Sequence, residues 1–174
     1  MNRFLIIVSF FLLHTIPAKA DFFKYDIQYL RNNLTEILSK EEKIKSALNG
    51  ISGDHSALGK AYKGLLISTL AEYAFWPNEK LSHFSEGKKM IEAAITENKN
   101  NAEIRFIRML VQCKAPSFVG YHDQIPSDLQ LIKTHFAAKK TEFPVAKYIL
   151  SNIKMLECLS DAEKVNLNKL IAAY

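Results

Sequence analysis

The feature that most constrains this chain is the spacing of its apolar residues, which recur at three and four positions almost without interruption. Across 56–74, Leu58, Ala61, Tyr62, Leu65, Leu66, Leu70, Tyr73 and Ala74 fall on one stripe broken only at Thr69. A period near 3.6 lays such residues along one side of an α-helix and forces that side against a neighbour. The same spacing joins Ile27, Leu30, Leu34, Ile37 and Leu38, and then Ile44, Ala47 and Leu48. It returns in Leu81, Phe84, Gly87, Ile91, Ala94 and Ile95, and in Ala146, Ile149, Leu150, Ile153 and Leu156. No stretch alternates with period two for long enough to indicate a sheet. The pattern predicts an all-α fold of seven or eight helices joined by short turns, stacked as antiparallel hairpins.

Punctuation between the stripes sets the expected boundaries. Ser56 suits a helix cap, Pro77 ends the 56–74 helix, and Asn78 is the expected cap of the next one. Ser39-Lys40-Glu41-Glu42, Ser127-Asp128-Leu129-Gln130 and Ser160-Asp161-Ala162-Glu163 each read as a capping box, while Pro144 suits a first turn. The helix predicted from Ala102 to about Lys114 is apolar over most of its circumference, through Ile104, Phe106, Ile107, Met109, Leu110, Val111 and Cys113. Such a helix needs neighbours on several sides.

At the amino terminus, Asn2 and Arg3 precede an apolar run from Phe4 to Leu13, and Ile16-Pro17-Ala18-Lys19-Ala20 follows. This is the layout of a signal peptide over 1–20 with an A-x-A cleavage site, and it predicts a periplasmic or secreted product beginning at Asp21. The run is about half the length of a membrane-spanning helix, and later segments carry too many charges to span, so no stable membrane insertion is expected after cleavage. Without Arg3 and Lys19, 21 basic residues stand against 18 acidic ones, an excess near +3 that is interleaved along the chain. Nucleic-acid readers concentrate charge on one face, so that class of partner is not expected. Residues 21–174 are enough for one domain with its own core.

Cys113 and Cys158 stand 45 positions apart. In an oxidising compartment they either pair as a disulfide or sit as two separate buried thiols. His55, His83, His122 and His135 show no ligand-pair spacing, and neither a metal nor another cofactor is expected. Asp54-His55-Ser56 sets three catalytic residue types side by side, but triads are assembled from separate elements, and Ser56 is accounted for as a cap. No nucleophile elbow or phosphate-cradling glycine loop is present, so the expectation is a non-enzymatic chain. Asn33-Leu34-Thr35 fits a glycosylation acceptor but lies inside a predicted helix.

Leu58-Gly59-x-x-Tyr62 resembles the first-helix core of a tetratricopeptide repeat (TPR). Gly87, Ile91 and Ala94, followed by Asn100-Asn101-Ala102-Glu103, resemble its second helix and the turn into the next unit. The chain departs from that pattern in having helices too long for a unit of about 34 residues, Lys99 at the usual proline, and no second alignable copy. Glu103-Ile104-Arg105-Phe106 and the segment from Ala115 to Tyr121 are also similar to uncharacterised secreted helical proteins of Gram-negative bacteria. The TPR-like resemblance implies stacked hairpins with an extended surface for a protein or peptide partner.

Two groups of residues are candidates for a site. Arg105, Arg108 and Gln112 share the one polar stripe of the 102–114 helix, and two guanidinium groups a turn apart can hold a carboxylate or phosphate of a small acidic ligand. In the TPR register the same stripe faces the interior, where an internal acid, Glu72, Glu86 or Glu92, would be the partner. The loop from Ser117 to Asp123 offers Phe118, Tyr121 and His122 as a rim around Gly120, or as a plug over the end of the stack. Trp76 at a predicted hairpin tip has the same two readings, and oligomeric state is left open.

Overall fold

The structure is a computed structural model that describes residues 25–173. The export signal expected over 1–20 lies outside those residues. The described part is all-α: α1 (Ile27–Leu38), α2 (Glu41–Gly50), α3 (Ala57–Tyr73), α4 (Pro77–Glu97), α5 (Ala102–Lys114), α6 (Ile125–Ala137), α7 (Phe143–Asn152) and α8 (Asp161–Ala172). Two 3₁₀ turns, Ser117–Val119 and Ile153–Met155, complete it, and no strand occurs among the described residues.

The caps explain why several boundaries differ from those expected. At α3 the Ser56 hydroxyl accepts from Gly59 N at 3.0 Å, and Asp54 in turn accepts from Ser56 N at 2.9 Å. At α8 the Ser160–Glu163 box is reciprocal, each side chain taking the other residue's backbone N–H. The other two expected boxes do not form. Ser39 instead closes α1, donating its hydroxyl to Glu36 O, and α2 starts from Lys40. Ser127 turns back to Gln124 O because α6 begins at Ile125 with Pro126 in its first turn, where a missing N–H costs nothing. Likewise α4 starts at Pro77, with Trp76 rather than Asn78 as its cap.

α3 is the central helix, packed along α4 and also touching α2, α5 and α1. Thr69 does not break its stripe: the hydroxyl donates to Leu65 O at 2.9 Å, which satisfies it locally and lets the residue be buried. Gly64 and Gly87 bring the α3 and α4 backbones together, since a Cβ at Gly87 would lie 2.4 Å from Gly64 O. α5 is capped by Asn101, whose side chain accepts from Glu103 N and Ile104 N, and is enclosed by α3, α4, α6 and α7. A disulfide joins Cys113 on α5 to Cys158 ahead of α8, Cα to Cα 4.9 Å, and so pins the carboxy-terminal helices to the centre. The buried apolar residues form one continuous cluster from Leu30 to Ile171.

Candidate functional site

Three features compete for a functional reading: two buried charge clusters on α5 and an open apolar groove beside it. The first cluster holds Arg105 and Arg108. Arg108 is 3 % exposed and makes a two-pronged pair with Asp128 of α6, Nε to Oδ2 at 2.7 Å and Nη2 to Oδ1 at 2.6 Å. Its remaining nitrogen, Nη1, donates to both Glu92 oxygens at 3.0 and 3.2 Å. Arg105 reaches Asp128 Oδ1 at 3.0 Å and donates twice to Lys99 O. Two guanidinium groups thus face two carboxylates, and every Arg108 nitrogen is engaged within the chain.

Of the three acids expected to face this stripe, Glu92 does so, whereas Glu72 pairs with Lys114 on the outside. The principal partner, Asp128, was assigned by sequence to a capping box. Shifting the start of α6 to Ile125 turns Asp128 inward, where it is fully buried. Gln112, also expected on the stripe, is fully buried, and its side-chain amide reaches neither arginine nor any other hydrogen-bond partner among the described residues.

Tyr121 closes this cluster. It is 5 % exposed, donates its hydroxyl to Glu92 Oε1 at 2.6 Å, and stands edge-on to Phe84 with Lys88 Nζ 4.6 Å from its ring centroid. Burial drives its phenol well above the ordinary range, and the adjacent Glu92 adds to that. Tyr121 is therefore a plug over the helix ends. His122 beside it is half-buried, its carbonyl accepting from Ile125 N at the entry to α6.

The second cluster was not legible in sequence. Glu103, 2 % exposed at the start of α5, takes Arg31 of α1 with both oxygens, at 2.7 and 2.6 Å, and accepts from Tyr62 OH at 2.8 Å. The hydrogen bond to Glu103 raises the Arg31 pKa, while burial foremost raises that of Tyr62. This latch holds α1 against the α3–α5 layer. Both clusters are saturated by internal partners, the pattern of fold specification.

The groove is different in kind. It has a volume of about 500 Å³ and lies where the ends of α3 and α5 and the first turns of α4 splay apart. Its floor is Leu38, Leu65, Leu110 and Val111, and its rim carries Leu81 and Phe118. Leu81 is 55 % exposed although it continues the α4 stripe, because no helix covers the first two turns of α4. Phe118, expected either at a rim or as a plug, is 87 % exposed. It is held there by the short turn after Pro116, which Gly120 closes in the left-handed region at φ +59°. At the neighbouring α3–α4 turn, Phe75 and Trp76 stack edge to face with centroids 5.0 Å apart and are 80 % and 59 % exposed. Leu81 and Phe118 thus stand in solvent at the rim of one apolar concavity, with the exposed Phe75–Trp76 pair on the adjoining turn, an arrangement that marks interaction surfaces.

Among the described residues no helix is long and apolar enough to cross a membrane, and no group of His, Cys, Asp and Glu has the makings of a metal site. No family model matches the chain, and no curated protein or solved structure matches it.

Proposed function

We propose that this chain is a non-enzymatic, exported helical scaffold with TPR-like hairpin stacking, which holds a segment of a protein or peptide partner in the groove between α3, α4 and α5. The observation that carries the reading is the exposure of Leu81 and Phe118 on the walls of an apolar groove whose floor belongs to the core. Fully burying a side chain of that size is worth about 1.5–3 kcal/mol. An occupant covering both therefore has a substantial gross driving force before the entropy of association is set against it. The layout of residues 1–20 supports export to the periplasm or the exterior. The small acidic ligand considered for Arg105 and Arg108 finds those groups already held by Asp128 and Glu92, so nothing in their geometry favours it.

The test is site-specific photo-crosslinking in the cell, with a photoreactive residue at Phe118 or Leu81 and a control at Val165, which is half exposed on α8 far along the chain. The expected result is a discrete adduct at the two groove positions that disappears when Leu81→Glu is added to the Phe118 probe. Equal labelling at Val165, or an adduct indifferent to Leu81→Glu, would refute the groove as the binding surface.

A further inference from the structure

Resting on that reading, the charges on the groove walls narrow the occupant further. Lys80 lines the groove, and Lys88 and Lys89 line the shallower trough that continues it past Leu81, Phe84 and Phe118. Among the described residues none of these three lysines is within ion-pair distance of a carboxylate. The acids that share the same walls are both taken: Glu72 by Lys114 at 2.9 Å, and Glu92 by Arg108 and Tyr121. Glu79 and Glu86 stand on the same helix, yet neither lines the groove or the trough. Of the α4 charges that line the apolar concavity, Lys80, Lys88 and Lys89 are therefore uncompensated, whereas the one acid, Glu92, is already neutralised by Arg108.

We propose that the segment held in this groove is an acidic amphipathic helix, its apolar face on Leu81, Phe84 and Phe118 and its carboxylates on Lys80, Lys88 and Lys89. The walls are helices whose backbones are satisfied internally, so they offer an extended peptide no row of free N–H and C=O groups. A helix brings its own hydrogen bonds and needs only a matching stripe. Lys80 and Lys88 are eight residues apart on α4, about 12 Å along its axis, or a little over two turns of an incoming helix. A stripe at i, i+4 and i+7 with acids at both ends meets that spacing. A flat anionic bilayer is a poorer match, because Glu79, next to Lys80 and beside the exposed Phe75–Trp76 tip, offsets that lysine on a planar contact.

The inference is tested by fluorescence anisotropy on the full chain with three labelled peptides of about 16 residues, sharing one leucine stripe and carrying Glu, Gln or Lys elsewhere. The Glu peptide is expected to bind about tenfold more tightly than the Gln peptide at low salt, and to lose that margin in about 0.5 M salt. The triple variant Lys80→Glu, Lys88→Glu, Lys89→Glu, with all changes outside the core, should lose it too. If the Glu and Gln peptides bind equally and both are lost on Leu81→Glu, the acidic preference is overturned while groove binding stands. If none binds, or Leu81→Glu has no effect, the groove reading fails and takes this inference with it. Vesicles with about one quarter phosphatidylglycerol form a further arm. Lysine-dependent binding to them in place of any peptide overturns the inference in favour of a lipid surface.

Discussion

The contact between α3 and α4 makes a substitution whose sign is opposite to that suggested by helix propensity. Gly87 lies inside α4, where alanine is better than glycine by about 1 kcal/mol in an uncrowded helix. Here the added Cβ would sit 2.1 Å from Ser68 Oγ, 2.4 Å from Gly64 O and 2.7 Å from Ser68 N. The Ser68 hydroxyl can rotate aside, but Gly64 O and Ser68 N are backbone. Restoring ordinary van der Waals distance requires the two helices to part by about 1 Å, which loosens Ile91 and Ala94 beside them. Overpacking of this kind costs about 1–3 kcal/mol, and at a backbone-to-backbone contact it outweighs the propensity gain. Gly87→Ala should therefore be destabilised by about 2 kcal/mol, a fall in Tm of about 4–8 °C for a chain of this size. Gly53 supplies the control, since a Cβ there meets nothing within 4 Å. Gly53→Ala should be neutral or stabilised by up to about 1 kcal/mol. Thermal unfolding followed by circular dichroism measures both. A Gly87→Ala Tm equal to or above that of Gly53→Ala would show that the helices are not in backbone contact.

Asp128→Asn leaves Arg108 buried with Glu92 as its only carboxylate and should cost about 3 kcal/mol by urea unfolding. The matched change at an exposed pair, Glu41→Gln opposite Lys45, should stay within about 0.5 kcal/mol, and equal effects would contradict the buried cluster. Reducing Cys113–Cys158 releases a loop of 45 residues and should lower stability by about 4 kcal/mol in the loop-entropy treatment, read as a shift of the urea midpoint with and without reductant. Burial, helped by nearby Lys140, holds the His135 imidazole below its ordinary value. The unfolded chain then binds that proton more tightly, so stability is retained above about pH 6.5 and declines as the pH falls below it. His135→Gln should reduce that decline, and identical pH profiles for the two proteins would remove His135 as its source.

Local chemistry was enough to place the helices. The three-to-four spacing of Leu30, Leu34 and Ile37, or of Ala146 and Ile149, is a property of the chain alone, as are the Ser56 and Ser160 caps and the stop at Pro116. The opposing arginine stripe on α5 was also legible, because two guanidinium groups on an otherwise apolar helix demand a partner. What sequence could not supply was which carboxylate answers them. Asp128 is 20 positions from Arg108, and its direction depends on a three-residue shift in where α6 begins. Glu103 and Arg31, 72 positions apart, carry no local sign of their union at all.

The groove marks the limit most clearly. Leu81 continues the same stripe as Ile91 and Ala94, and periodicity assigns all three to the core. Tertiary packing buries two and leaves the third in solvent, because α4 runs on past the helices that cover its other end, and the turn from Pro116 to Val119 lines the gap without filling it. A stripe states that a face must be covered. Whether this chain covers it or leaves it for another molecule is decided by where distant elements come to rest, and that has no period to read.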